Sequence, residues 1–343
     1  MNAENAKIQY ESGQNAVAMA ALTDQGDHKD FRSADSLWSK KSGYIPNVKP
    51  NGLATGGAVS PGVSDDPEKI DVAALTCYLA GVLTSVDASA DVTITRPTGG
   101  SPANSHNKTS ITINSAGVIT LVKGTDGTAF SDERGAAGGP AWIPTGSIEI
   151  AQVWLSAAAS AVITADEIKQ VVGVHQERYD YPTWQEKCSN VANRILGNAG
   201  IVCDAALPLI HSDDAGTTKA GKKVYASYYE PEFTDVPISS DFVPPENSHS
   251  VSSKQVYGGT LGASSASLGQ GSFTAYLNDG ISDGFIAQRD ELLWFKFYQN
   301  RNNSLPYIIT QGKLGIGRTF PANDQINASC TISAEVPAQD IVG

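Results

Sequence analysis

From Gln325 to Val336 the chain alternates without interruption. Ile326, Ala328, Cys330, Ile332, Ala334 and Val336 fall on one side, and Asn327, Ser329, Thr331, Ser333 and Glu335 on the other. Successive side chains of a strand point to opposite faces, so this pattern predicts a strand with one dry and one wet face. "DVTITRP" (91–97) alternates in the same way and stops at Pro97. "TSITINSAGVITLVKG" (109–124) predicts a hairpin, two β-branched runs around Asn114, Ser115, Ala116 and Gly117. "GSIEIAQVWLS", "ALPLIH", "KKVYASYYEPEF", "SFTAYL", "ELLWFKFYQ" and "PYIITQGKLGIGRTF" are read as further strands, with "NRNN" at 300–303 as a turn between the last two.

Helical spacing is rarer. "TWQEKCSNVANRILGN" predicts a helix over 183–197. Thr183 is its cap, Glu186 completes a capping box, and Trp184, Cys188, Val191, Ile195 and Leu196 share a face ending at Gly197. "TADEIKQV" predicts a short helix capped by Thr164 with Glu167. "KIDVAALTCYLAGVLTSV", broken by Gly81, suits either two strands or a buried helix, and the Pro- and Ser-rich "DVPISSDFVPPENSHSVSS" (235–253) reads as a long loop. The fold class expected is all-β with one or two helices.

The chain is 343 residues long, enough for two domains of ordinary size, and shows no internal repeat. Residues 1–50 read as an extended arm, rich in turn formers but carrying Phe31, Leu37, Trp38, Tyr44 and Ile45. Such apolar groups need cover, from a neighbouring subunit or from the arm's own domain. Residues 51–172 read as a β-rich domain and 173–343 as a second one that contains the helix.

Charge and chemistry narrow the function. The formal net charge is −12, and residues 1–50 carry six acids and six bases, so the whole excess lies after residue 50. That excludes a broad phosphate clamp but not a surface past which DNA slides. The four cysteines are widely spaced with no C-x-x-C pair, which with the absence of an apolar leader predicts free thiols in a reducing cytosol. No run is long enough for a membrane span.

"DQGDHKD" (24–30) and "HSDDAG" (211–216) gather acids and histidine without ligand spacing and read as solvated turns. No nucleophile elbow, P-loop or dinucleotide fingerprint occurs. Asp65–Asp66 and Asp290–Glu291 are sequence neighbours, which a strand points apart. "WFKFY" (294–298) reads as a core strand rather than a base-stacking surface. The expectation is a non-enzymatic protein with no catalytic residue, cofactor or metal.

"DELLWFKFYQNRNNSLPYIITQGKLGIGRTFPANDQINASCTISAE" (290–335) resembles the last strands of the major tail, or tail tube, proteins of long-tailed bacteriophages, where "P-Y-x-I…G-x-L" precedes a final alternating strand. "YESGQNAVAMAALTDQGDHKDFRSADSLWSKKSGYIPNVKPNGLATGGAV" (10–59) looks like the same kind of phage protein. "IPTGSIEIAQVWLSAAASAVITADEI" (143–168) is similar to "I-P-x-x-x-I-x-I-A-x-V" before "I-T-A-x-x-I" in tail and baseplate components. The resemblance implies a β-sandwich or half-barrel subunit, with 183–197 as a flanking helix and 51–172 either as an added domain on the tube exterior or as part of the tube fold itself. It implies stacked hexameric rings forming a non-contractile tail tube for DNA ejection. The partners implied are copies of the chain, the tape measure, terminator and baseplate proteins, and DNA in transient passage, in a virion assembled in the host cytoplasm. In such a tube Asn327, Ser329, Thr331, Ser333 and Glu335 would line the lumen. The inter-subunit arm would present Phe31, Leu37, Trp38, Tyr44 and Ile45. A receptor-binding baseplate, tail-fibre or capsid-decoration protein is the alternative.

Overall fold

The computed structural model describes residues 7–33, 37–39, 41, 46–99, 105–186, 199–215, 223–236 and 238–342. The strands run, in chain order, β1 (Lys7–Asp24), β2 (Asp30–Arg32), β3 (Asn47–Pro50), β4 (Gly52–Gly56), β5 (Val59–Pro61), β6 (Lys69–Val72), β7 (Leu75–Leu79) and β8 (Val82–Val86). Then come β9 (Ser89–Thr93), β10 (Asn107–Ile113), β11 (Ile119–Lys123), β12 (Ile148–Leu155), β13 (Ile168–Lys169), β14 (Trp184–Glu186), β15 (Gly200–Cys203) and β16 (Lys223–Asp235). The last eight are β17 (Ser239–Val243), β18 (Asn247–Val256), β19 (Gly259–Leu268), β20 (Gly271–Tyr276), β21 (Leu292–Tyr298), β22 (Tyr307–Thr319), β23 (Asn327–Ala334) and β24 (Gln339–Ile341). The chain is all-β; among the described residues the only helical pieces are three single 3₁₀ turns, at 165–167, 212–215 and 286–288.

One sheet of 12 strands contains β1–β3, β14–β17 and β20–β24. Its main path is β14-β15-β2-β1-β21-β22-β23-β20-β17, with β16 beside β1 and β3, and β24 beside β22. The sheet curls round its own core. Phe273 on β20 and Phe295 on β21 lie 6.1 Å apart by ring centroids, although β23 and β22 separate their strands. In a flat sheet three strand spacings would put them about 14 Å apart. Phe242 of the edge strand β17 stacks on Phe297 of β21 at 4.4 Å, so the curl folds this edge back over the sheet without closing into a barrel. Ile8, Tyr10, Leu293, Leu314, Ala328, Cys330 and Ile332 fill the interior.

The elements from β4 to β13 form three small sheets, ordered β11-β10-β12-β13, β4-β7-β8 and β5-β6-β9, around a separate apolar cluster that includes Leu53, Ile70, Cys77, Ile111 and Ile150. Two short contacts tie these sheets to the large one. The turn at Ala80–Gly81 rests on Met19 of β1, where a Cβ on Gly81 would come within 2.9 Å of the Met19 Cβ. Lys49 lies over the rings of Tyr78 and Tyr179, at 4.7 and 5.5 Å. Both turn residues have positive φ, 51° and 80°, the two-residue hairpin geometry that settles "KIDVAALTCYLAGVLTSV" as strands and not a buried helix.

Several sequence expectations are corrected. Residues 1–50 are not an arm as a whole: Lys7–Asp24 is a long strand inside the large sheet, paired with β16, β2 and β21. The helix over 183–197 begins instead as β14, with Trp184, Gln185 and Glu186 paired to Cys203, Val202 and Ile201. Trp184 also lies 6.1 Å from Phe31, so sheet pairing and aromatic packing override the helical spacing there. Residues 187–197 lie outside the described residues. The loop at 235–253 contains β17 and most of β18. "ALPLIH" forms no strand, only a bridge between Ile143 and His211. The short helix at Thr164 is a single 3₁₀ turn with its capping box intact.

Candidate assembly surfaces

β23 places the opening pattern as its period demands. Ala328, Cys330 and Ile332 are fully buried, while Ser329, Ser333 and Glu335 are exposed and Asn327 and Thr331 half-buried. The neighbouring strands continue the wet face. Thr331 stands opposite Ser272 and Gly315, Ser329 opposite Thr274 and Gly317, Asn327 opposite Tyr276 and Thr319, and Ser333 opposite Lys313. Glycine suits position 315, because a Cβ there would lie 2.3 Å from the Thr331 hydroxyl oxygen. Hydroxyl groups therefore dominate the outer side of β20–β23–β22. Lys313 puts one base on a face that β23 alone supplies with only an acid, Glu335.

On β21 and the first half of β22 the same sheet face turns apolar and is covered. Trp294 pairs with Gln311 and Lys296 with Ile309; Trp294 and Ile309 are fully buried beneath Leu37, Phe233, Tyr307, Val336 and Ile341. Trp38 is wholly buried against Tyr228, and Phe31 is wholly buried on β2. Phe31 and Trp38 thus pack on their own chain, as does half-buried Leu37. Tyr44 and Ile45 lie outside the described residues.

The second surface is the hairpin β18–β19. Ten residue pairs run from Asn247↔Leu268 to Val256↔Gly259, and among the described residues it joins no other sheet. Every strand residue except Leu268 is exposed. Val251 is 78% exposed and Leu261 64%, and Tyr257 at the tip is bare. Serine hydroxyls bridge the strands at Ser248–Ser267 and Ser250–Ser265. At about 3.3 Å per residue, each strand is roughly 30 Å long. An isolated two-stranded hairpin is marginal in water, because it buries too little to offset its ordering.

The acid and histidine clusters prove to be structural. In "DQGDHKD", Asp24, His28 and Asp30 are buried and do not form a solvated turn. Asp24 accepts the backbone N–H of Gly26 and His28 and contacts the His28 ring, while Asp30 chelates Arg32. His211 is buried 3.5 Å from Glu177 and is not at a hairpin tip. No group of three metal-binding side chains occurs among the described residues.

A polar network under the loop at 124–142 escapes the sequence reading. Lys108 is wholly buried, 2.6 Å from Asp132 and 3.6 Å from the Trp154 ring centroid. Arg134 pairs with buried Glu149, whose carboxyl is raised by burial against the lowering effect of that guanidinium. Polar residues in "NKTSITI" and "IEIAQVWL" occupy strands covered on both sides, which alternation cannot reveal. Cys77, Cys203 and Cys330 are free and buried. No helix among the described residues is long and apolar enough to cross a membrane.

No protein-family profile matches the chain, and no curated protein matches it.

Proposed function

We propose that the chain is a self-assembling structural subunit, the tail tube protein of a long-tailed, non-contractile bacteriophage. The observation that carries this reading is the β18–β19 hairpin, a long ladder with its apolar side chains in solvent. Val251 and Leu261 lie on opposite faces of the ladder, so insertion between neighbouring copies would cover both, with Tyr257 at the tip, and supply the burial the hairpin lacks. The hairpin has one lysine and no acid, so residues outside it carry a net −13 (−12 minus +1), and charge does not oppose its docking on a neighbour. The open edge of β17, paired only with β20 and bulged near Asp241, offers a second route to sheet continuation.

Stacked hexameric rings would let the hydroxyl face of β20–β23–β22, with Asn327, Ser329, Thr331, Ser333 and Glu335, line a lumen that does not hold phosphates. Tape measure, terminator and baseplate proteins would be its partners in the virion, and DNA would pass without specific binding. Negative-stain electron microscopy over a concentration series tests this. Rings or hollow tubes are expected, lost in Val251→Asp/Leu261→Asp; a wild type that stays monomeric at high concentration overturns the reading.

The separate core of β4–β13 favours a second reading, a receptor-binding baseplate, tail-fibre or capsid-decoration protein. Binding to host cells by discrete oligomers that never form tubes would establish it.

A further inference from the structure

The side chain of Glu11 is wholly buried on the face of β1 that looks toward Ser39. The Ser39 hydroxyl donates to Oε1, while Oε2 accepts no side-chain bond. Ser39 is itself held by its backbone N–H, which donates to the Tyr229 carbonyl at 2.9 Å. Trp38 beside it is buried against Tyr228, and Leu37 covers the Trp294–Ile309 cluster. One carboxyl group thus sits beneath a short stretch that, through Leu37, covers part of the apolar half of the sheet face.

The charged groups around Glu11 do not neutralise it. Lys41 spends its ammonium on Gln288 Oε1 at 2.6 Å. Lys296, one pair along the same face, lies over the Phe233 ring at 4.2 Å. Glu291 before β21 and Glu232 opposite Gly13 add negative charge. A carboxylate here has a serine hydroxyl and the Trp294 backbone as donors and, among the described residues, no ion partner in contact; protonation removes the buried charge, and burial outweighs those donors.

We propose that Glu11 is a pH-sensitive latch: protonated, it holds residues 37–39 on the sheet, and ionised, it favours their release, which takes Leu37 out of the cover over Trp294 and Ile309. Burial raises the carboxyl to about 7, and Ser39, Lys41 and the Trp294 backbone only partly oppose this, so the latch acts near neutrality. Release lets water reach the carboxylate, and rising pH drives the opening for that reason. The inference does not depend on what the chain assembles into.

Hydrogen exchange at the Trp38 and Ser39 amides tests it, from pH 5.5 to 8.5 and corrected for intrinsic exchange rates. Protection in the wild type should fall at least tenfold, the effect of one unit of pKa difference between held and released states. It should stay level in Glu11→Gln. The Ile111 and Ile150 amides of the separate core serve as the internal reference and should not change. A level wild-type profile, a matching fall in Glu11→Gln, or an equal fall at Ile111 and Ile150 would each overturn the proposal. Should Glu11→Gln not fold, the wild-type profile against Ile111 and Ile150 decides alone.

Discussion

Trp38 lies against Tyr228 with ring centroids 5.3 Å apart and planes inclined at 32°. A side chain that chain order puts in a turn-rich stretch is thereby fastened to β16, nearly two hundred residues on. Ser33 completes the clamp with a hydroxyl contact of 3.0 Å to the Tyr228 phenol. Trp38→Ala should cost about 3–5 kcal/mol, as for other buried large-to-Ala truncations. Urea unfolding measures it. A loss below about 1 kcal/mol would overturn the placement of Trp38 in this core.

Glu11 makes stability depend on pH. Its carboxyl is raised from 4.5 to about 7 when folded, chiefly by burial. Below the unfolded value both states are protonated and the residue costs nothing. Between 4.5 and 7 the unfolded chain gives up the proton that the folded one keeps, so stability falls as pH rises. Above 7 the loss levels off at about 3 kcal/mol, from about 1.36 kcal/mol per unit. Glu11→Gln should be the more stable protein at pH 8 and lack this slope; unfolding series at pH 5 and pH 8 compare the two.

The buried pair Arg134–Glu149 should be costly to break from one side. Arg134→Met leaves Glu149 buried without its guanidinium, with Gln152 still donating to it. A loss of about 3–5 kcal/mol is expected. Glu149→Gln in the same background should restore part of it, since a neutral amide needs no counter-charge. A double-mutant cycle by thermal unfolding reads both effects.

The buried thiols should be inert. Burial pushes Cys77 and Cys203 up to about 11 and Cys330 up to about 12. The thiolate is the nucleophile, so none of the three should be alkylated at pH 8 until the chain unfolds. Mass spectrometry after brief iodoacetamide treatment, with and without urea, gives the answer residue by residue.

The hairpin separates stability from assembly. Val251 and Leu261 touch little in the isolated chain, so Val251→Asp/Leu261→Asp should change unfolding free energy by no more than about 0.5 kcal/mol per site. The same variant should lose any higher-order assembly seen in sedimentation. A large stability loss together with unchanged sedimentation would point to an intrachain role for the hairpin.

Alternation was the part of the fold legible in the chain itself. Strict period two over 325–336 determined which side of β23 is dry, because a strand can bury its alternate residues only on one side. The β10–β11 hairpin, β12 and the core strand around "LLWFKF" were legible from β-branched and apolar runs and their turn residues, though not that β10 and β12 are covered on both sides. Gly81 broke the apolar run, but only the positive φ of Ala80 and Gly81 decided for a strand turn over a buried helix.

Tertiary structure decided the rest. Trp184 has helical neighbours in sequence, but its partner strand Gly200–Cys203 and the Phe31 ring lie elsewhere in the chain, and pairing with them made it a strand. Lys7–Asp24 has a mixed pattern because its two halves face different cores, so nothing local announced a central strand. Glu11 and Lys108 carry charges that sequence assigns to water. Burial depends on what the sheet's curl and the covering segments place above them, and contacts between residues hundreds of positions apart have no local signature.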